Sequence, residues 1–200
     1  YGLKHFFKKG KPLFLQTITM AMGSHVLGSV YHLCHSITND NPSNGFTPAY
    51  LGRIGFFLFI ITASYGQFDR IIDDGSPKMK KSRLIALIAP FCAEILYIPI
   101  YMADVSIQTK ISYALIWIPA VFSVYFNLKH SIVPDLDFGF IKALKPYNRF
   151  VLCLSFSELI RLMLYNYHYI IPRVIFAVVF SVFCICTIVT AGKGVKKWTI

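Results

Sequence analysis

The sequence predicts an all-α polytopic membrane helix bundle, six transmembrane helices arranged as three hairpins with both termini cytoplasmic. Three observations predict it. Of 200 residues, 56% are hydrophobic and only 14% charged, against about 25% charged in a soluble domain. With a mean hydropathy of +0.57, a soluble fold would leave large apolar patches in water. The apolar residues come in blocks of about 17 to 21, the helix length that crosses a ~30 Å hydrocarbon core. Finally, Lys and Arg gather in alternate connections, as the positive-inside bias requires.

The first span is predicted over residues 13–33. It is preceded by Lys4, Lys8, Lys9 and Lys11 and followed by "HSITNDNPSNGFTPA", which has no Lys or Arg. That connection is rich in turn formers, and its "NPS" is no glycosylation acceptor because Pro occupies the middle position. The second span, 50–66, leads into Arg70, Lys78, Lys80, Lys81 and Arg83. The third, 84–103, contains Pro90 and Pro99 as hinge points and is followed by Lys110 alone. The fourth, 111–128, leads into Lys129, Lys142, Lys145 and Arg149. The fifth, 150–166, is followed by Arg173 alone, and the sixth, 174–191, by Lys193, Lys196 and Lys197. The basic side is the cytoplasmic one. The runs are continuously apolar and not alternating, so helices, not barrel strands, satisfy the backbone in lipid. No linker divides the chain, and residues 1–200 read as one integral membrane domain of the cell (plasma) membrane.

The net charge of +11 does not point to nucleic acid. The basic residues cluster between apolar blocks, not on one face, and no aromatic-interleaved or zinc-finger pattern accompanies them. Five cysteines are an odd count, and the Cys184/Cys186 spacing is not that of a zinc or redox pair. Tyr1 in place of Met suits a piece of a longer chain, and no cleavable signal peptide is evident.

Three spans carry an ionisable residue near their centres: His25, Glu94 and Glu158. Seven residues further along lie His32, Tyr101 and Tyr165, nearly two helical turns away and so on the same face. Ser29, Tyr97 and Arg161 lie between them. Each charge at a helix centre costs about 2.5–3.5 kcal/mol on insertion, and the fifth span carries two. It is therefore expected to face the bundle interior, with Glu158 and Arg161 paired at i, i+3 or with a neighbour. Arg53 is a further partner for Glu94 or Glu158. Ionisable residues inside a membrane mark functional sites by default. His25, His32, Arg53, Glu94, Tyr97, Tyr101, Glu158, Arg161 and Tyr165 are accordingly expected to line one outward-facing polar pocket for a small-molecule or ion ligand. Their other role would be a buried ion-pair network that fixes packing.

Enzyme chemistry finds no complete constellation. His25, His32, His35, Glu94 and Glu158 are metal-capable, but no HExxH or similar spacing unites them. No GxSxG motif is present, and Cys34 and His35 are adjacent, pointing about 100° apart on a helix. "DRIIDDGSPKMKKSR" matches the CDP-alcohol phosphotransferase signature only at Asp74 and Gly75, and its ligand positions are missing. Asp69, Asp73 and Asp74 therefore read as a solvated loop. The six-helix plan is similar to the substrate-binding subunits of energy-coupling-factor vitamin transporters, with Ala21, Gly23 and Gly28 as a faint small-residue stripe. It is also similar to membrane sensor modules that precede cytoplasmic signalling domains. The leading expectation is a ligand-sensing receptor module that signals to a cytoplasmic domain or partner subunit. A transporter's substrate-binding component and an intramembrane metal-dependent enzyme are the alternatives. No cofactor is named by any motif, and the inner halves of the spans look nearly uncharged.

Overall fold

A computed structural model describes residues 12–38, 46–69, 72–73, 75–133, 139–165 and 170–198. Every long element among them is a helix. They are α1 (Leu13–Thr38), α2 (Pro48–Ile61), α3 (Lys80–Met102), α4 (Ile107–Ile132), α5 (Gly139–Tyr165) and α6 (Ile170–Trp198). A π-helix, Thr62–Asp69, continues α2, and a 3₁₀ turn, Pro77–Met79, leads into α3. No strand occurs among the described residues. The helices overrun the predicted spans at most ends. The largest extension is at α5, which starts 11 residues before the predicted position 150.

Among the described residues, five helices are long and apolar enough to cross a membrane: α1, α2 continued to Gly66, α3, α4 and Val174–Lys196 of α6. The helix left out is α5, which carries Lys142, Lys145, Arg149, Glu158 and Arg161. Its packing explains how it tolerates them. It contacts α3, α4 and α6, and none of its described large apolar side chains is exposed. By contrast α1, α3, α4 and α6 display Leu27, Phe91, Ile95, Phe122, Val178 and Ile185 outward. A helix that presents little apolar surface to lipid does not need a wholly apolar sequence.

Two contacts set the position of the candidate site. The first is the crossing of α1 and α2. A Cβ on Gly28 would lie 2.8 Å from the Ala49 carbonyl oxygen, and one on Gly52 would lie 2.6 Å from the Gly28 Cα. Small residues let the two backbones touch, the usual device for apposing helices in lipid, and the Ser24 hydroxyl donates to the Gly52 carbonyl across the contact, 3.0 Å. This brings His25 over α2. The second is the π-helix. Its i→i+5 ladder places residues five apart nearly in line, whereas in an α-helix they point about 140° apart. Ser64 and Asp69 thereby meet Asn127 and His130, one turn apart on α4.

Candidate functional site

Glu158 is the most deeply buried of the described acids, only 1% exposed. Arg161, one turn on, grips it with two hydrogen bonds, Nε to Oε2 at 2.8 Å and Nη2 to Oε1 at 2.6 Å. Arg53 of α2 approaches the same Oε1 at 3.7 Å. The bidentate fork is the strong form of this interaction, and Arg53 ties α2 to α5 through it. Tyr50, one turn before Arg53, places its ring 5.9 Å from that guanidinium. His25 of α1 completes the cluster. Its ring packs on Phe180 at 4.9 Å and Phe56 at 5.7 Å. Its Nδ1 is buried and makes no hydrogen bond among the described residues. Four ionisable groups from three helices thus converge where an apolar core would serve stability at least as well.

The other expected site residues whose side chains are described lie elsewhere. Glu94 is exposed on the outer surface of α3. Tyr97 donates its hydroxyl to the Lys110 carbonyl, 3.1 Å, and its ring packs on Trp117 at 5.1 Å. Tyr101 is exposed, with the Lys110 ammonium 5.5 Å from its ring centre. His32 is also exposed, and the side chain of Tyr165 lies outside those described. The seven-residue spacing is real, but it says nothing about which way each helix is rotated. The inward face of α3 is Ser82, Ala86, Ala89, Ala93 and Ile100, and Glu94 is adjacent to it in sequence but off it in space. Among the described residues, no three of His, Cys, Asp and Glu are placed to hold a metal ion.

A second cluster lies where sequence reading expected a solvated loop. Lys129 and His130, in the last turns of α4, are 3% and 1% exposed. Lys129 pairs with Asp69 and with Asp73 Oδ2, the latter at 3.2 Å. His130 Nε2 donates to Asp69 Oδ1, 3.0 Å. Arg83 reaches Asp73 at 3.6 Å and donates to the Ser76 carbonyl at 2.6 Å. Gly75, at φ +81°, makes the left-handed turn that closes this loop and donates to Asp73 Oδ1 at 3.0 Å. Asp69 and Asp73 are thus met by Lys129, His130 and Arg83 and not by solvent alone, while Lys80 and Lys81 are exposed; Asp74 and the side chain of Lys78 lie outside those described. The signal that was available is the continuation of the α4 pattern past Leu128.

Between the clusters runs a row of buried polar side chains. Ser64 donates to Asn127 Oδ1 at 3.3 Å, and Asn127 Nδ2 donates to the Ser123 carbonyl at 2.8 Å. The Ser123 and Ser155 hydroxyls are 3.1 Å apart. Asn127 lies one turn from His130, and Ser155 one turn from Glu158.

Asp69 lends itself to a pH test. Burial pushes its pKa up from 3.8, but hydrogen bonds from His130 and Lys129, and the Lys129 charge, outweigh this and hold it below. A carboxyl lowered on folding stabilises the fold above its unfolded pKa, and that contribution fades as pH falls through the folded value. Thermal unfolding in detergent is expected to show a stability decline below about pH 4. Asp69→Asn, which leaves Lys129, His130, Asp73 and Arg83 in place, lowers the midpoint at neutral pH and flattens that decline. An unchanged acid limb in the variant would exclude Asp69 as its source.

The described chain is an all-helical protein with helices suited to a membrane and charged residues buried between them. In comparisons with known proteins, no family, no curated sequence and no solved structure matches the chain.

Proposed function

We propose that the chain is the plasma-membrane module of a receptor, three hairpins with both termini cytoplasmic, in which the Glu158 cluster answers to a small-molecule or ion ligand. The observation that carries this reading is the junction itself: one buried carboxylate is shared by Arg161 and by Arg53 from another helix, with His25 of a third helix close by. A ligand that competes for either guanidinium or for the carboxylate separates α2 from α5. The Ser64–Asn127–Ser123–Ser155 row then offers a continuous contact path to the Asp69 cluster at the other end of α2 and α4. A cytoplasmic signalling domain or partner subunit reads that end.

The test is a thermal-shift screen of the nanodisc-embedded protein against a metabolite library. At least one compound is expected to stabilise the wild type, and its affinity to fall at least about tenfold in Glu158→Gln and Arg161→Gln. Both variants should still insert. A library with no stabilising compound, or a hit indifferent to both substitutions, would contradict the receptor reading.

A substrate-binding transporter component is the second reading, supported by the same polar row. Transport needs groups in both halves of the membrane, and the Asp69 cluster supplies the half that sequence reading found empty. Substrate-dependent uptake by proteoliposomes, lost in Lys129→Met, separates it from sensing.

A further inference from the structure

We infer that the groove between α3 and α4 around Glu94 is a membrane-facing binding site for an apolar amine, an ammonium group carried on a hydrophobic body. The groove has a volume of about 420 Å³, within the range of about 300–1,000 Å³ that holds small ligands. Leu87, Pro90 and Glu94 form its α3 wall, and Ile118, Phe122 and Tyr125 its α4 wall. Every one of these side chains is apolar or aromatic except Glu94.

Glu94 is out of place there unless something meets it. It stands 14 residues into α3, about 21 Å along the axis at 1.5 Å per residue. Its surface neighbours Phe91, Ile95 and Ile98 are all exposed apolar residues, which places it at hydrocarbon depth. Among the described residues it has no hydrogen bond or ion pair. A carboxylate facing lipid is costly, and such groups are found paired or at a site of function. The chemistry of the groove selects the partner. One carboxylate with apolar walls does not satisfy a metal cation that takes six or more oxygens. It does satisfy an ammonium, whose charge meets Glu94 while the Phe122 ring offers a cation–π face and the rest of the groove receives the apolar body; the Tyr125 ring already has the Lys129 ammonium 5.7 Å from its centre.

A second copy of the chain is a poor occupant. The described arginines at membrane depth, Arg53 and Arg161, are engaged with Glu158 and are mostly buried. The groove is also short. Leu87 to Glu94 spans seven residues, about 10 Å, a length that suits a small amphiphile better than a crossing helix.

The test uses the full chain in nanodiscs and a dodecylamine bearing a mid-chain diazirine. Photolabelling is expected to saturate and to map to residues 87–94 and 118–125. Dodecylamine should compete and dodecanol should not. Glu94→Gln is expected to weaken labelling at least about tenfold. Val121→Trp, which fills the groove and keeps Glu94, is expected to abolish it. Glu158→Gln should leave it unchanged, so this site and the receptor reading fail separately. Should Glu94→Gln not fold, the Val121→Trp arm and the competition on the wild type decide alone. Equal competition by dodecanol, undiminished labelling of Glu94→Gln, label spread along α1 and α6, or cross-links that put another helix in the groove would each overturn the proposal.

Discussion

Glu158→Gln is expected to destabilise the protein by about 3 kcal/mol, the scale of removing one partner from a buried pair and of exposing a charge to the membrane interior. The carboxylate is 1% exposed and is the shared acceptor of Arg161 and Arg53. Without it, two guanidiniums lose their common counter-charge in a mostly buried site. The amide offers Arg161 one neutral acceptor in place of a charged fork. The double substitution Glu158→Leu with Arg161→Leu should recover part of the loss, because a charge pair replaced by apolar groups leaves less uncompensated charge. Unfolding in mixed micelles measures both. A single variant as stable as the wild type would mean that the pair contributes nothing to packing.

Gly52→Leu is expected to cost about 3 kcal/mol or more, at the upper end of overpacking penalties. Even its first carbon would stand 2.6 Å from the Gly28 Cα and 2.7 Å from the Ser24 carbonyl oxygen. Both are backbone atoms that no rotamer change can move. The helices must part, and the parting carries the site with it, since Arg53 follows Gly52 and His25 follows Ser24. The loss of stability should therefore come with loss of the Arg53–Glu158 contact, detectable as a smaller added effect of Glu158→Gln in the Gly52→Leu background. Gly23→Ala is the control. A Cβ there meets nothing within 4 Å, and the change should stay within about 0.5 kcal/mol, on the favourable side by helix propensity.

The helices were legible because hydrocarbon thickness imposes a length and a composition that no soluble core imposes. Each predicted span lies largely inside a helix. The pairing of Glu158 with Arg161 was legible too, since i, i+3 neighbours on a helix meet wherever the helix faces. Helix rotation was not. His25 and Glu158 turn inward and Glu94 turns outward, although all three sit mid-span, because rotation is decided by neighbours such as Ala86, Ala89 and Ala93 and not by the charged residue. Nor was the Asp69 cluster. Lys129 and His130 look like the basic flank of a span, and the π-turn of Thr62–Asp69 brings Asp69 to them, with Asp73 following just beyond it. The Gly28–Gly52 contact left a trace in the small residues of α1, but its other half, on α2, cannot be inferred from one helix alone.

The account rests on α5 crossing the membrane despite its charges, with Glu158 and Arg161 turned into the bundle. Side-specific labelling of single cysteines tests this most directly, with the native five replaced by Ala and one new Cys placed at Lys142, in the first turn of α5, or at Ile171, in the first turn of α6, both exposed. In sealed vesicles an impermeant maleimide is expected to reach Cys at 142 and Cys at 171 from opposite sides. Labelling of both from the same side would mean that α5 does not cross, and the buried charge cluster would not be a site within a membrane.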